Sequence, residues 1–331
     1  MKGLAMSTPK KGWNRDEGDL KDNSCSNLFA CVSYSFFSGM HNKTYKYCFF
    51  KSLLDNVFNF GKEFTVPFKY LSDTFATIYW NSIVLHHIPA SKAFYKGKLS
   101  SIEKLIEDYL KSHPHMDGIP LDSINETDRE SFLSDAEVIF ARNVVGAFYE
   151  DTEGMIYGFS KKKKCIWLNK KSYHFLTENK EILDQVNYYR WLKEVEKILT
   201  QGNDHLDNLS TILEEITQRS DLTPFKESLM SLAEQRTCFY CGKKLSKSPH
   251  LDHVIPWSFL KNDALWNFVF ACPHCNESKN NKVPREEYLI RLINRNSELR
   301  IDSPDILRIA SAAKINGIKT DWAPGGQKED D

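Results

Sequence analysis

The stretch CFYCGKKLSKSPHLDHVIPWSFLKNDALWNFVFACPHCNESKNNKVP, residues 238–284, decides the fold of the C-terminal part of the chain. It contains two C-x-x-C pairs, Cys238/Cys241 and Cys272/Cys275. Two residues between ligands is the spacing of a metal knuckle, and four thiolates complete a closed tetrahedral zinc site. A closed site offers no open position to a substrate, so this zinc is structural. The other four cysteines, Cys25, Cys31, Cys48 and Cys165, are scattered. Between the knuckles, LDHVI is apolar enough for a strand, yet it carries Asp252 and His253. His250 shares the Asp252 face, because side chains alternate along a strand. Unpaired polar groups cost free energy in a core, so this strand end is either exposed or faces a site. The loop PWSFLKNDALWN and a second strand, FVFA, follow, and CPHCNESKN opens a helix. This strand–loop–strand–helix order brings Asp252 and His253 near Asn276 at the helix start, with Asn267 just ahead of the second strand.

In LDHVIP, in WN before the second strand and in CPHCNESK, the sequence resembles the HNH endonucleases, whose core is a ββα-metal unit. The resemblance runs from Cys238 to Arg295. It implies that His253 is the general base. It implies that Asp252 and Asn276 are ligands of a catalytic divalent ion, and that Asn267 braces the loop and orients the histidine. Asn276 stands where histidine often falls, so the chain is an H-N-N variant. The implied reaction is metal-dependent endonucleolytic hydrolysis of phosphodiester bonds, with DNA as substrate and RNA as the other candidate. Architecture alone resembles components of bacterial defence or mobile elements.

The residue types suit that chemistry. A neutral imidazole titrates near working pH and can take a proton from water. A carboxylate oxygen and an amide oxygen are hard donors, and two protein ligands leave room for waters and a phosphate oxygen on Mg²⁺ or Mn²⁺. Thiolates would not serve a hard ion, so the zinc and the catalytic ion occupy separate sites. His250 is a lesser candidate, an outer ligand or phosphate contact if it is more than a surface residue. His274 is read as exposed, because four cysteines already fill the zinc site. From Cys238 to Arg295 there are nine basic residues against five acidic ones, so this domain is locally basic in a chain of zero formal charge. Lys243, Lys244, Lys279 and Lys282 are the candidate phosphate contacts. The rival reading is a non-catalytic zinc module that only binds nucleic acid.

At 331 residues the chain is long for one core, and a charged share of 27% fits an ordinary globular protein. No apolar run is long enough to span a bilayer, and no secretory signal opens the chain, so the expected location is cytoplasmic, away from membranes. The expected class is α-rich multidomain (α+β). Residues 1–38 are read as irregular. Residues 39–202 form a mainly helical domain with helices near 42–60, 68–87, 100–113, 135–150 and 178–200. In the third of these, Ser100 and Glu103 have the spacing of a capping box. A β-hairpin is expected from GMIYGFS and KCIWLN, with Lys161–Lys164 at its tip, either a solvated turn or a second nucleic-acid contact. Residues 203–224 are a linker, 225–300 the zinc-braced nuclease domain, and 301–331 a helix followed by a loose tail. The helical domain is a candidate surface for a partner protein, and a homodimer would suit double-strand cleavage.

Overall fold

The computed structural model describes residues 15–22, 24–37, 44–61, 63–204, 206–217, 222–232, 237–246 and 249–325. They fold mainly as helices with two small sheets. The chain forms two compact units. The first comprises Met1–Leu54, Phe60–Phe175 and Gln185–Thr217; the second comprises Asp55–Asn59, Leu176–Asp184 and Gln218–Asp331. No helix among the described residues is long and apolar enough to cross a membrane.

The first unit opens with strand β1 (Glu17–Gly18) and helices α1 (Cys25–Phe37) and α2 (Tyr45–Asp55). Strand β2 (Thr65–Pro67) leads into α3 (Phe68–Trp80), which ends in a π turn at Asn81–Leu85. Helix α4 (Ser101–Ser112) starts at the expected capping box. The Ser100 hydroxyl accepts from the Glu103 N–H at 3.4 Å, and the Glu103 carboxylate accepts from the Ser100 N–H at 2.6 Å. The other Glu103 oxygen accepts from the Ala90 N–H at 2.7 Å, so the cap also pins the preceding loop. Helix α5 (Glu126–Ile139) passes through a π turn at Phe140–Val144 into α6 (Val145–Asp151). That turn splits the single helix expected over 135–150.

The hairpin forms as β3 (Gly158–Ser160) and β4 (Cys165–Trp167), in an antiparallel sheet of order β1-β3-β4-β2. Gly158 pairs with Trp167, whose indole covers it and leaves no room for a Cβ. The core is aromatic. The Phe49 ring packs on Phe140, Phe148 and Tyr157 at 4.9–5.5 Å between centroids, and all four are buried. The aromatic run of α2 is therefore core. Helices α7 (Lys170–Glu178), α8 (Lys180–Gln201) and α9 (Leu209–Ile216) follow. Two expectations change here. The segment read as irregular carries β1 and α1, while residues 1–14, 23 and 38 lie outside the described residues. The segment read as a linker carries α9, with residues 205 and 218–221 outside.

The second unit contains α10 (Thr223–Leu232), β5 (His250–His253), α11 (Trp257–Leu260), β6 (Phe268–Ala271), α12 (Pro273–Lys279), α13 (Glu286–Glu298) and α14 (Ile306–Ile315). Strands β5 and β6 are antiparallel, with Asp252 opposite Val269 and His253 opposite Phe268. Leu229 of α10 packs on Phe268 and Phe270, which covers one face of this ribbon. Two-stranded ribbons are marginal alone and need such cover. Asp55–Asn59 and Leu176–Asp184 add further support. Phe58 packs on Phe259 at 5.4 Å, and the Asn316 side chain bonds the Thr177 carbonyl and the Glu181 N–H at 2.8 and 2.9 Å. The tail read as loose is anchored in its described part. Trp322 is buried, its ring lies 5.0 Å from Tyr240, and its backbone bonds Val283 and Arg285. Residues 326–331 lie outside the described residues.

Candidate active site and zinc centre

The first knuckle is a tight turn. The Cys238 N–H donates to the Lys243 carbonyl at 2.8 Å, and Gly242 supplies the left-handed residue at φ 71°. The Phe239 N–H donates to the Phe270 carbonyl at 2.9 Å, which docks this turn on the end of β6. The second knuckle straddles the start of α12, with Cys272 as its N-cap and Pro273 in its first turn. The four Sγ atoms lie within 4.8 Å of one another, and Cys241 and Cys272 are 3.8 Å apart. Tetrahedral zinc with bonds of about 2.3 Å separates its sulfurs by roughly 3.8 Å, so the cluster fits that ion. Burial, together with the three neighbouring cysteines, pushes the Cys275 thiol far up. Four soft thiolate donors at this spacing suit zinc.

On β5 the two central residues are buried and take different partners. The Asp252 carboxylate accepts from the Tyr240 hydroxyl at 2.5 Å and from the Lys279 ammonium at 3.2 Å. The same ammonium donates to the His253 carbonyl at 2.6 Å. Burial pulls the Lys279 pKa down against the pull of Asp252. The expected phosphate contact at Lys279 is corrected: the side chain is fully buried and serves as an internal counter-ion. Lys243 and Lys244 are exposed and Lys282 is half-buried, so these remain open to solvent in some part. Lys247, counted among the basic residues, lies outside the described residues.

His253 is wedged between a ring and a carboxylate. Phe268 packs on its imidazole at 4.2 Å between centroids, and its Nε2 lies 2.6 Å from the Asp263 carboxylate. Asn267 is buried and closes the intervening loop. Its amide accepts from the Ile255 N–H and donates to the Ile255 carbonyl, both at 2.8 Å. One side chain thus makes the two bonds that a ladder residue would make with its backbone. Asn296 of α13 donates to the Trp266 carbonyl at 2.9 Å and holds this closure from behind. The Asn276 amide nitrogen lies 3.3 Å from His250 Nδ1, so those two side chains meet where α12 starts over β5. His274 is exposed.

Asp252 and Asn276 present hard oxygen donors, so their chemistry fits a divalent ion of the Mg²⁺ type. Lys279 is the cation that already neutralises Asp252 in the structure. Three residues of this site have roles that the sequence reading missed: Asp263, Tyr240 and Lys279. Tyr240 sits inside the first knuckle, which fixes it opposite Asp252. Asp263 lies in the loop closed by Asn267, and an acid inside that closure was the one available clue.

Residues 238–282 match the family model described as HNH endonuclease. No curated protein and no solved structure matches the chain. The chain carries an HNH domain in its C-terminal part, with a four-cysteine cluster suited to zinc.

Proposed function

We propose that the protein is a metal-dependent HNH endonuclease that hydrolyses phosphodiester bonds in DNA. The observation that carries this reading is His253, buried on β5 beside Asp252 and hydrogen-bonded to Asp263 at 2.6 Å. An imidazole held in one orientation by a carboxylate is the arrangement of a general base. His253 takes the proton of the attacking water. Asp252 and Asn276 hold the divalent ion, with His250 beside Asn276 as a further candidate. When bound, the ion supplies positive charge to the phosphate oxygens. Asn267 keeps the loop closed so that the imidazole does not drift. Lys243, Lys244 and Lys282 contact backbone phosphates and add a salt-dependent, sequence-independent attraction.

A second reading keeps the zinc module and removes the chemistry. The Lys279–Asp252 ion pair favours it, because the carboxylate assigned to the ion is already neutralised. One digestion panel separates the two. Purified protein is incubated with supercoiled plasmid or with RNA, in Mg²⁺, Mn²⁺ or EDTA, alongside His253→Ala. Cleavage of plasmid that needs the divalent ion and falls about 10²–10⁴-fold in the variant supports the nuclease. Binding without ion-dependent cleavage supports the binding module. Cleavage confined to RNA changes the substrate and leaves the mechanism intact.

A further inference from the structure

We infer that Asp263 is a positioning residue for His253: it fixes the imidazole tautomer so that Nδ1 is the nitrogen that receives the proton. The inference rests on the nuclease reading for its effect on rate, and on geometry alone for the tautomer.

The geometry begins with the loop between β5 and β6. The chain leaves β5 into α11 and reverses at Lys261, a left-handed residue at φ 56°. The Lys261 N–H donates to the Trp257 carbonyl at 2.7 Å, and its ammonium lies 4.8 Å from the Trp257 ring centre. Two residues later Asp263 meets His253, and four residues after that Asn267 closes on Ile255. Asp263 is therefore held between a fixed reversal and a buried clamp. Its side chain is 9% exposed and that of His253 is 5% exposed, so water does not loosen the bond.

An ionised carboxylate only accepts hydrogen bonds, so the bond at 2.6 Å places the hydrogen on Nε2. In the neutral imidazole the lone pair then belongs to Nδ1. Phe268 fixes the plane of the ring. A ring with both constraints presents one basic nitrogen in one direction. Without the carboxylate, part of the population would carry its hydrogen on Nδ1 and be unable to accept a proton there. A misplaced tautomer lowers turnover and leaves substrate binding alone.

The test uses full-length, zinc-loaded, ¹⁵N-labelled protein. Long-range ¹H–¹⁵N spectra report the tautomer of each histidine, and His253→Ala identifies the His253 signals by their loss. The wild type is expected to show the Nε2–H form. Asp263→Ala should give a mixture of both forms, while Asp263→Asn should keep the Nε2–H form through its amide oxygen. In plasmid cleavage, Asp263→Ala should lower kcat about 10–100-fold with KM unchanged, and Asp263→Asn should recover part of that loss. An Nδ1–H form in the wild type overturns the inference. So does an Asp263→Ala protein whose tautomer and kcat match the wild type. If Asp263→Ala fails to retain zinc or to melt cooperatively, the near-isosteric Asp263→Asn decides: an Nδ1–H form there, with wild-type kcat, also overturns it. Failure of the nuclease reading looks different, since neither the wild type nor His253→Ala would then cut plasmid in Mg²⁺ or Mn²⁺, while the tautomer result still stands.

Discussion

Lys279 and Asp252 form an ion pair at 3.2 Å in which both side chains are buried. A charge taken out of water has to be compensated, and here each member of the pair compensates the other. Lys279→Met leaves the Asp252 carboxylate with the Tyr240 hydroxyl and without an ammonium. Loss of one partner of a buried pair costs about 3–5 kcal/mol, so the zinc-loaded variant should melt well below the wild type in buffer without added Mn²⁺. Mn²⁺ should then stabilise the variant more than it stabilises the wild type, because the ion no longer competes with Lys279. Thermal melts with and without Mn²⁺ read this directly. An equal Mn²⁺ effect on both proteins would remove Asp252 from the list of ion ligands.

The zinc centre predicts a loss of a different kind. Structural zinc contributes folding free energy outright, because the ligands are brought together only in the folded chain. Purified protein should hold one zinc per chain by elemental analysis. Cys275→Ser, or prolonged chelation, should remove it and lower the melting temperature of the second unit, with cleavage lost as a consequence. His253→Ala should keep its zinc. A Cys275→Ser protein with full zinc content and unchanged melting would show that the four thiols are not a metal site.

Asn267 carries its weight through two bonds to one residue. Asn267→Ala leaves the Ile255 N–H and carbonyl buried without partners, at about 1–3 kcal/mol each. The expected destabilisation in urea is roughly 2–6 kcal/mol. Asn267→Asp should be harmed as well, since a carboxylate accepts from the N–H and cannot donate to the carbonyl. If Asn267→Asp matches the wild type in urea, the bond to the Ile255 carbonyl contributes nothing.

Those contacts mark what the sequence makes legible. The two knuckles and the Ser100–Glu103 cap are local: a few residues at fixed spacing contain both partners of each interaction, so pattern alone finds them. The alternation of β5 places His250 and Asp252 on one face for the same reason. Lys279 is different. Its position three residues after Asn276 reads as an exposed face of a short helix, and what it meets instead is the Asp252 carboxylate and the His253 carbonyl of β5, from a segment more than twenty-five residues away. Trp322 sits among glycine, proline and charged residues that look like a tail. The Asp263–His253 bond escapes for a related reason, since it joins a strand to an irregular loop that no periodicity describes. Helix α1 lacks the charged first and last turns that announce a helix, and its sequence mixes serine, cysteine and aromatic residues.

Glu194 on α8 predicts a pH dependence in the first unit. The side chain is 2% exposed, one carboxylate oxygen has no hydrogen-bond partner, and the other lies 3.6 Å from Lys197. Burial raises its pKa above the ordinary 4.5, while Lys92, Lys197 and Arg190 offset part of that rise. With the folded pKa above the unfolded one, the native state binds the proton more tightly. Stability at this site is therefore full below the unfolded pKa and is lost as pH rises through the folded one. Glu194→Gln removes the ionisation, so its stability relative to wild type should grow across that window and then level off. Urea melts followed by far-ultraviolet circular dichroism from pH 4 to 8 measure the difference. A wild type that instead gains on Glu194→Gln as pH rises would mean that the three cations outweigh burial at this carboxylate.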